Sequence, residues 1–483
     1  MDQTYVPLTD LSQLKDELQI PDAMWMRLRK TFKLSKKYSL SKVKQIQTGE
    51  YHWQQHTFMK VDLIADLVHI PPETIRHICM FDKESRKASY ATLRSLIDKA
   101  LDKERPNLRP GEKLYLKISF DGCALSKTMS VVIGTIQLMY ESKRKRRLRS
   151  PFDNLQFLVY EGKEDYDQMR SSLSEFCNEL KTLMNRRVDS FDFTPSYSPN
   201  STVTIYPVIV VDMACLICIM GIYACYKTNS TYRCCWCSVT KHDLADFNFD
   251  GHDLRDVSQM HASSDPGNNE GCRHDPIFKF MRMTLILPDT LHLLMSQVKL
   301  MTKMLLLSVN DPRFGREVLN HFKSIGITMR QMQPNEDILT TFAGSRLNYE
   351  QCLKILNKKD GLLAIYKRYC NEGDEYADKV KLLWDQCYTL LGMCVKRKSK
   401  VTEQEWLEYA KVFGKNFVSL YPKTYVSSYM HVLVYHIGYF LEKYSNLDRF
   451  ANFAIECLKD WFLKQHQHMP ADPGTGNQVV RLL

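Results

Sequence analysis

Three carboxylates stand where a chain needing a pair of divalent cations would place them. Asp121 closes an alternating run, Asp212 closes the apolar run Val208-Ile209-Val210-Val211, and Glu456 sits far along the chain at the edge of a helical apolar stripe. Two strand ends and a packed helix can present oxygen donors to two Mg²⁺ or Mn²⁺ ions about 3.5–4 Å apart, one activating an attacking oxygen and one stabilising a leaving oxygen. The chemistry such a site performs is phosphodiester cleavage. Each acid also has a plainer reading. Asp121-Gly122 is a common hairpin signal, Asp212 is of a residue type that caps helices, and Glu456 taken alone is a surface glutamate.

A second constellation carries sulfur and nitrogen. Cys234 and Cys237, in Cys234-Cys235-Trp236-Cys237, have the spacing with which two thiolates bind one tetrahedral zinc ion. A redox role is disfavoured because no thioredoxin-like strand-to-helix context surrounds them. His431 and His436 are one candidate completing pair. Five residues apart, they would fall on different faces of an ideal helix, so a helix end or distortion must lie between them if both bind one ion. His242, His252, His261 and His274 are nearer in sequence and stay open as rivals.

The elements that must position these groups read as an α/β arrangement. Residues 113–121 alternate (Leu114, Leu116, Ile118, Phe120), and residues 130–139 and 155–160 follow as strands, which predicts an antiparallel meander. A helix is predicted over 165–185, with Met169, Leu173, Phe176, Leu180 and Leu183 at helical spacing. Residues 203–212 read as a strand buried on both faces. That order, β-β-β-α-β, is the order of an RNase H-like fold. The predicted catalytic core is therefore residues 111–212 with 446–465, its last helix over 446–464 carrying Glu456. Residues 213–445 are too long for a loop of the sheet and are expected to form a mainly helical, zinc-binding insertion. Residues 1–110 are expected to be a helical, basic N-terminal region that grips DNA, bounded by Pro106 and Pro110-Gly111, and residues 466–483 a loose tail.

Composition sets the class of partner. With 483 residues, 44% hydrophobic, the chain can bury a sizeable core. No window approaches the roughly 20 apolar residues of a membrane helix, so a soluble, intracellular protein without a membrane partner is expected. Fifteen cysteines suit reduced thiols and metal ligands better than a disulfide framework. The formal charge of +11 suits a polyanion. The basic stretch over residues 25–44 and the run Lys143-Arg144-Lys145-Arg146-Arg147 are candidate DNA grips, the latter also a candidate nuclear localisation signal.

This order of residues resembles one family, the Transib-type DDE transposases, which are related to the catalytic subunit of the V(D)J recombinase. The resemblance covers about residues 110 to 465. It is carried by Ser119-Phe120-Asp121-Gly122, by Asp212 a short way before Cys234 and Cys237, and by the interval from His431 and His436 to Glu456. It implies that Asp121, Asp212 and Glu456 hold two Mg²⁺ or Mn²⁺ ions and that Cys234, Cys237, His431 and His436 share one structural Zn²⁺. The segment Asp289-Thr290-Leu291-His292 matches a family motif that places its histidine near the scissile phosphate, and Trp384 matches an aromatic that stacks on an unpaired base. The resemblance further implies a nuclear homodimer that nicks double-stranded DNA at terminal inverted repeats, forms hairpins and joins the ends to target DNA. The chain departs from the family at Ala454-Ile455-Glu456-Cys457, which lacks the small, polar residues that flank the family's glutamate. The rival reading is a catalytically silent DNA-binding or scaffolding protein with the same fold.

Overall fold

The computed structural model describes residues 88–467 apart from 91, 106–107, 110, 125–129, 141, 144–149, 151–152, 226–229, 264–268, 331–336 and 396–399. The basic stretch over 25–44, the run Arg144 to Arg147 and residues 468–483 of the tail lie outside the described residues.

A mixed sheet forms the centre. In chain order its strands are β1 (Ala88–Tyr90), β2 (Leu114–Ala124), β3 (Ser130–Tyr140), β4 (Leu155–Glu161), β5 (Phe191–Phe193), β6 (Val203–Val211) and β7 (Ile286–Pro288). The predicted meander is present: β2 pairs antiparallel with β3 from Leu114↔Tyr140 to Ala124↔Ser130, and β3 pairs antiparallel with β4. On the other side of β2, β6 runs parallel to it, with Ile118 opposite Ile209. The free flank of β6 is shared by β5, antiparallel along its first half, and β7, parallel along Ile209–Val211.

The helices are α1 (Leu93–Glu104), α2 (Tyr166–Ser172), α3 (Ser174–Leu183), α4 (Met213–Met220), α5 (Thr290–Leu307), α6 (Pro312–Ser324), α7 (Ile338–Gly344), α8 (Tyr349–Asn357), α9 (Lys359–Tyr369), α10 (Asp374–Val395), α11 (Glu403–Leu420), α12 (Ser428–Tyr435), α13 (Ile437–Tyr444) and α14 (Phe453–Gln467). Residues 290–444 are thus mainly helical, as expected, whereas 221–285 are largely irregular. No helix among the described residues is long and apolar enough to cross a membrane.

Three expectations are revised. The boundary placed near residue 110 falls inside the sheet layer, because β1 extends the sheet beside β4 and α1 packs on β3, β4 and α3. The helix over 165–185 breaks at Leu173 (φ −93°, ψ −1°), in a serine-rich stretch where the Ser174 hydroxyl bonds back to the Ser171 carbonyl. The last helix starts at Phe453 rather than near 446, because Ser445 adopts a left-handed conformation (φ 60°) that ends α13 and delays the next helix.

The period of β2 decides what each face of the sheet does. Leu116, Ile118 and Phe120 are buried on one face, where Phe120 meets Phe157, itself stacked on Phe176 of α3 at 4.1 Å. The alternate residues Lys117, Ser119 and Asp121 are also buried, but they meet the segment entering α14 and α14 itself. Lys117 donates to the Ala451 carbonyl at 2.7 Å, Ser119 bonds Asn452 Oδ1 at 3.1 Å, and Lys459 donates to Asp121 Oδ1 at 3.0 Å. A polar row on a buried strand therefore fixes the register of the last helix.

Lys117 makes that row sensitive to pH. Burial lowers its pKa to about 7, against the pull of the Asp289 carboxylate. The unfolded chain, with the ordinary value of 10.5, binds a proton between about pH 7 and 10.5 that the folded chain releases, so stability rises with pH across that window. Lys117→Met is expected to remove the rise, which is on the order of a few kcal/mol. Urea midpoints of both proteins at about pH 7 and about pH 10 check it.

One residue expected at the DNA surface is interior, and a tryptophan that the resemblance matched to a base-stacking aromatic is core. Lys143 is buried, pairing with Glu104 at 3.2 Å and donating to the Leu138 carbonyl at 2.8 Å, so it is not part of a solvent-facing basic run. Trp384 is fully buried on α10 and packs the core rather than offering a face to a base.

Candidate functional site

Parallel pairing brings the first two acids together. The parallel register, last paired at Ile118↔Ile209, points Asp121 and Asp212, each three residues further on, toward the same end of the sheet. Asp121 is not a turn residue: it pairs with Ile133 inside the ladder, and β2 continues to Ala124. Asp212 does cap α4, its Oδ1 accepting from the Cys215 N–H at 2.7 Å. The cap engages one oxygen, so capping and a role at the site coexist.

Glu456 arrives in the first turn of α14. Its Oε1 lies 3.4 Å from His292 Nε2 and its Oε2 lies 3.6 Å from Lys459 Nζ. Lys459, one turn further on the same helix face, reaches both oxygens of Asp121 at 3.0 and 3.2 Å. His292 is fixed from behind by Asp289, whose Oδ2 lies 2.5 Å from Nδ1. Oδ1 of Asp289 accepts from the Leu291 N–H and the Asn452 N–H, each at 3.1 Å. One carboxylate thus caps α5, holds the chain entering α14 and orients the imidazole between them.

A fourth acid joins the cluster. Glu164 follows β4, and its Oε1 accepts from the Gly122 N–H at 2.5 Å. A β-carbon at Gly122 would stand 2.9 Å from the Glu164 side chain, so glycine admits this approach. The sequence reading missed both Glu164 and Lys459. The signal for Glu164 lay in topology: β4 is antiparallel to β3 and therefore parallel to β2, so an acid just past its end reaches the same sheet edge. The signal for Lys459 was its spacing of three from Glu456 on a helix.

The electrostatics are those of crowded, partly buried carboxylates. Burial, then the Glu456 carboxylate, raises the pKa of Asp121 well above its ordinary value, while Lys459 opposes the rise. Burial and Asp212 push Glu164 up to about 7 against the bond from the Gly122 N–H. Burial disfavours charge on His292, but the bond to Asp289 overrides it and lifts the imidazole to about 9. Lys459 is likewise raised despite burial, by Asp121 and Glu456. Two cations, His292 and Lys459, therefore balance the acids. The edge is open to solvent, with the side chains of His292, Glu456 and Lys459 exposed by 24%, 29% and 27%.

The second constellation is tighter. Cys234, Cys237, His431 and His436 are all buried, and their ligand atoms lie within 4.8 Å of one another, the one such group among the described residues. The two cysteines sit on a loop closed by the Tyr232↔Thr240 bridge, and Trp236 ties it to β7 by donating to the Ile286 carbonyl at 2.8 Å. The distortion demanded by the His431–His436 spacing is present: His436 (φ −116°, ψ −29°) is the joint between α12 and α13. Trp406 donates to the Leu433 carbonyl in the last turn of α12 at 2.8 Å, supplying a partner where that helix stops.

The donors fit zinc. Cys237 Sγ lies 3.2 Å from His431 Nε2, and His436 Nε2 is buried without a hydrogen-bond partner, which is costly unless a metal takes its lone pair. Two thiolates and two imidazoles make a closed tetrahedral set, so this group could hold a zinc ion. Cys235 faces elsewhere, its sulfur 3.9 Å from that of Cys225. Of the rival histidines, His252 packs on Tyr435 and His431 outside the ligand group, His274 stacks on Tyr166 at 4.1 Å, and His242 and His261 are exposed.

No protein-family model matches the chain, and no curated protein matches it at a significant level.

Proposed function

We propose that the chain is a metal-dependent enzyme that cuts and joins DNA, of the DDE transposase type, built on an RNase H-like core. One observation carries the reading: Asp121 on β2, Glu164 just past β4, Asp212 just past β6 and Glu456 on α14, 335 residues after Asp121, come to one solvent-reaching edge with Lys459 and His292. The β2-β3-β4-helix-β6 order supports the core assignment. An all-oxygen donor set suits Mg²⁺ or Mn²⁺, and the ammonium already seated between Asp121 and Glu456 marks where positive charge is favourable. When bound, such ions supply a more nucleophilic oxygen and a stabilised leaving oxygen.

The chain's own groups do the rest. Asp289 holds His292 charged with its Nε2 beside Glu456, at the edge where it could donate to a phosphate oxygen. Zinc at Cys234, Cys237, His431 and His436 is structural, pinning the α12–α13 joint to the Trp236 loop and so to β7. The reading includes double-stranded DNA with terminal inverted repeats and target DNA as substrates, a homodimer, and the nucleus as the place of action.

Purified protein is expected to nick supercoiled plasmid in Mg²⁺ or Mn²⁺ and to give hairpin or joined products on linear DNA, while an equally folded Asp121→Asn variant is inert. Equal cutting by both proteins would remove Asp121 from the site. A second reading, a silent DNA-binding scaffold, is favoured by Lys459 neutralising Asp121 and Glu456 without metal. It predicts tight DNA binding by both proteins and cutting by neither.

A further inference from the structure

We propose that Lys459 is a resident counter-cation of the acid cluster, one that divalent metal must expel and that DNA draws away, so that metal and DNA bind cooperatively. This rests on the reading of the acids as a divalent-metal site and adds how loading of that site is controlled.

The geometry is that of a competitor. Lys459 Nζ lies 3.0 and 3.2 Å from the two oxygens of Asp121 and 3.6 Å from Oε2 of Glu456. Both oxygens of Asp121 and one of Glu456 thus face an ammonium. A dication bound through these carboxylates would share their oxygens with that ammonium and be repelled by it at short range. The lysine is therefore not a neighbour the metal can ignore. His292 does not take its place, because its Nδ1 is committed to Asp289 and only its Nε2 reaches Glu456.

The side chain is also able to leave. It is 27% exposed, so the ammonium stands at the solvent boundary of the cluster, and a lysine stem reaches outward without disturbing its helix. Expelled alone, the ammonium exchanges two carboxylates for water. Expelled beside DNA, it meets a phosphate, the partner that a compact cation at the rim of an acidic site takes up most readily. Linkage then requires reciprocity: if DNA favours the outward lysine and metal favours it too, each raises the other's affinity by the same factor.

The test is Mn²⁺ titration of zinc-loaded protein, free Mn²⁺ being read by electron paramagnetic resonance, with and without a short DNA duplex. Lys459→Met is expected to bind Mn²⁺ at least about tenfold more tightly than the wild type in the absence of DNA, and to lose the gain in affinity that DNA gives the wild type. Lys459→Arg retains the cation and is expected to stay near wild-type affinity, which separates lost charge from disturbed folding. Should Lys459→Met bind Mn²⁺ no more tightly than the wild type, or keep the full effect of DNA, the proposal fails while the metal-site reading stands. If neither protein shows Mn²⁺ binding that Asp121→Asn removes, the metal-site reading fails and takes this proposal with it.

Discussion

Asp212→Asn is expected to leave the protein folded and to lower DNA nicking by roughly three orders of magnitude or more. The two halves of that result come from different oxygens. Oδ1 accepts from the Cys215 N–H at the start of α4, and an asparagine oxygen caps a helix about as well as an aspartate oxygen. The melting temperature should therefore move by no more than about 2 °C. What the substitution removes is a negative charge that acts on Glu164, His292 and Lys459. Nicking rates in Mn²⁺ beside thermal melts check it, and a variant that keeps its activity would leave Asp212 as a cap and nothing else.

Cys237→Ser is the substitution expected to cost the most stability. Structural zinc contributes an apparent ~10–16 kcal/mol in small zinc-binding peptides, comparable to the ~5–15 kcal/mol that holds a whole domain folded. Without the ion, two buried imidazoles and a buried thiol lose their shared partner. Elemental analysis should find about one zinc per wild-type chain and none after dialysis of the variant, with a melting temperature lower by more than about 10 °C or an insoluble product. Cys235→Ser is the matched control. Its sulfur faces Cys225 rather than the ligand group, so the variant should retain its zinc.

The elements legible in the sequence were those long enough to show a period. β2 and β3 run 11 residues each, and β6 reads as a continuous apolar run because sheet and helices cover both its faces. β1, β5 and β7 have three residues each, too few for alternation to be seen, and exist because a longer strand offers them an edge. The acids at β2 and β6 were legible because each follows a visible apolar run, although β2 continues past Asp121 to Ala124, and their competing roles were not legible. Asp121-Gly122 has the composition of a turn and the surroundings of a ladder, and only the pairing of Gly122 with Val132 distinguishes them. Glu164 was hidden by its neighbour, since Asp165 caps α2 and makes the whole segment read as a helix start. The bend between His431 and His436 could be demanded from their spacing, but its cause, an indole from α11 bonding the Leu433 carbonyl, lies in a helix remote in sequence. Trp384 and Lys143 show the converse, residue types suited to nucleic acid that the fold uses for its interior.

The bond from Lys459 to Asp121 spans 338 residues of chain, and that span has a temporal meaning. At synthesis rates of about 5–20 residues per second, roughly 17–70 s pass between the emergence of β2 and that of α14. Throughout that interval a nascent chain on the ribosome can assemble its meander, but Asp121, Glu164 and Asp212 have neither Glu456 nor their lysine counter-charge. On the proposed reading, the chain cannot cut DNA while it is being made. The same holds for any product of early termination or proteolytic clipping ahead of residue 453, which would retain most of the sheet and helices and none of the completed site.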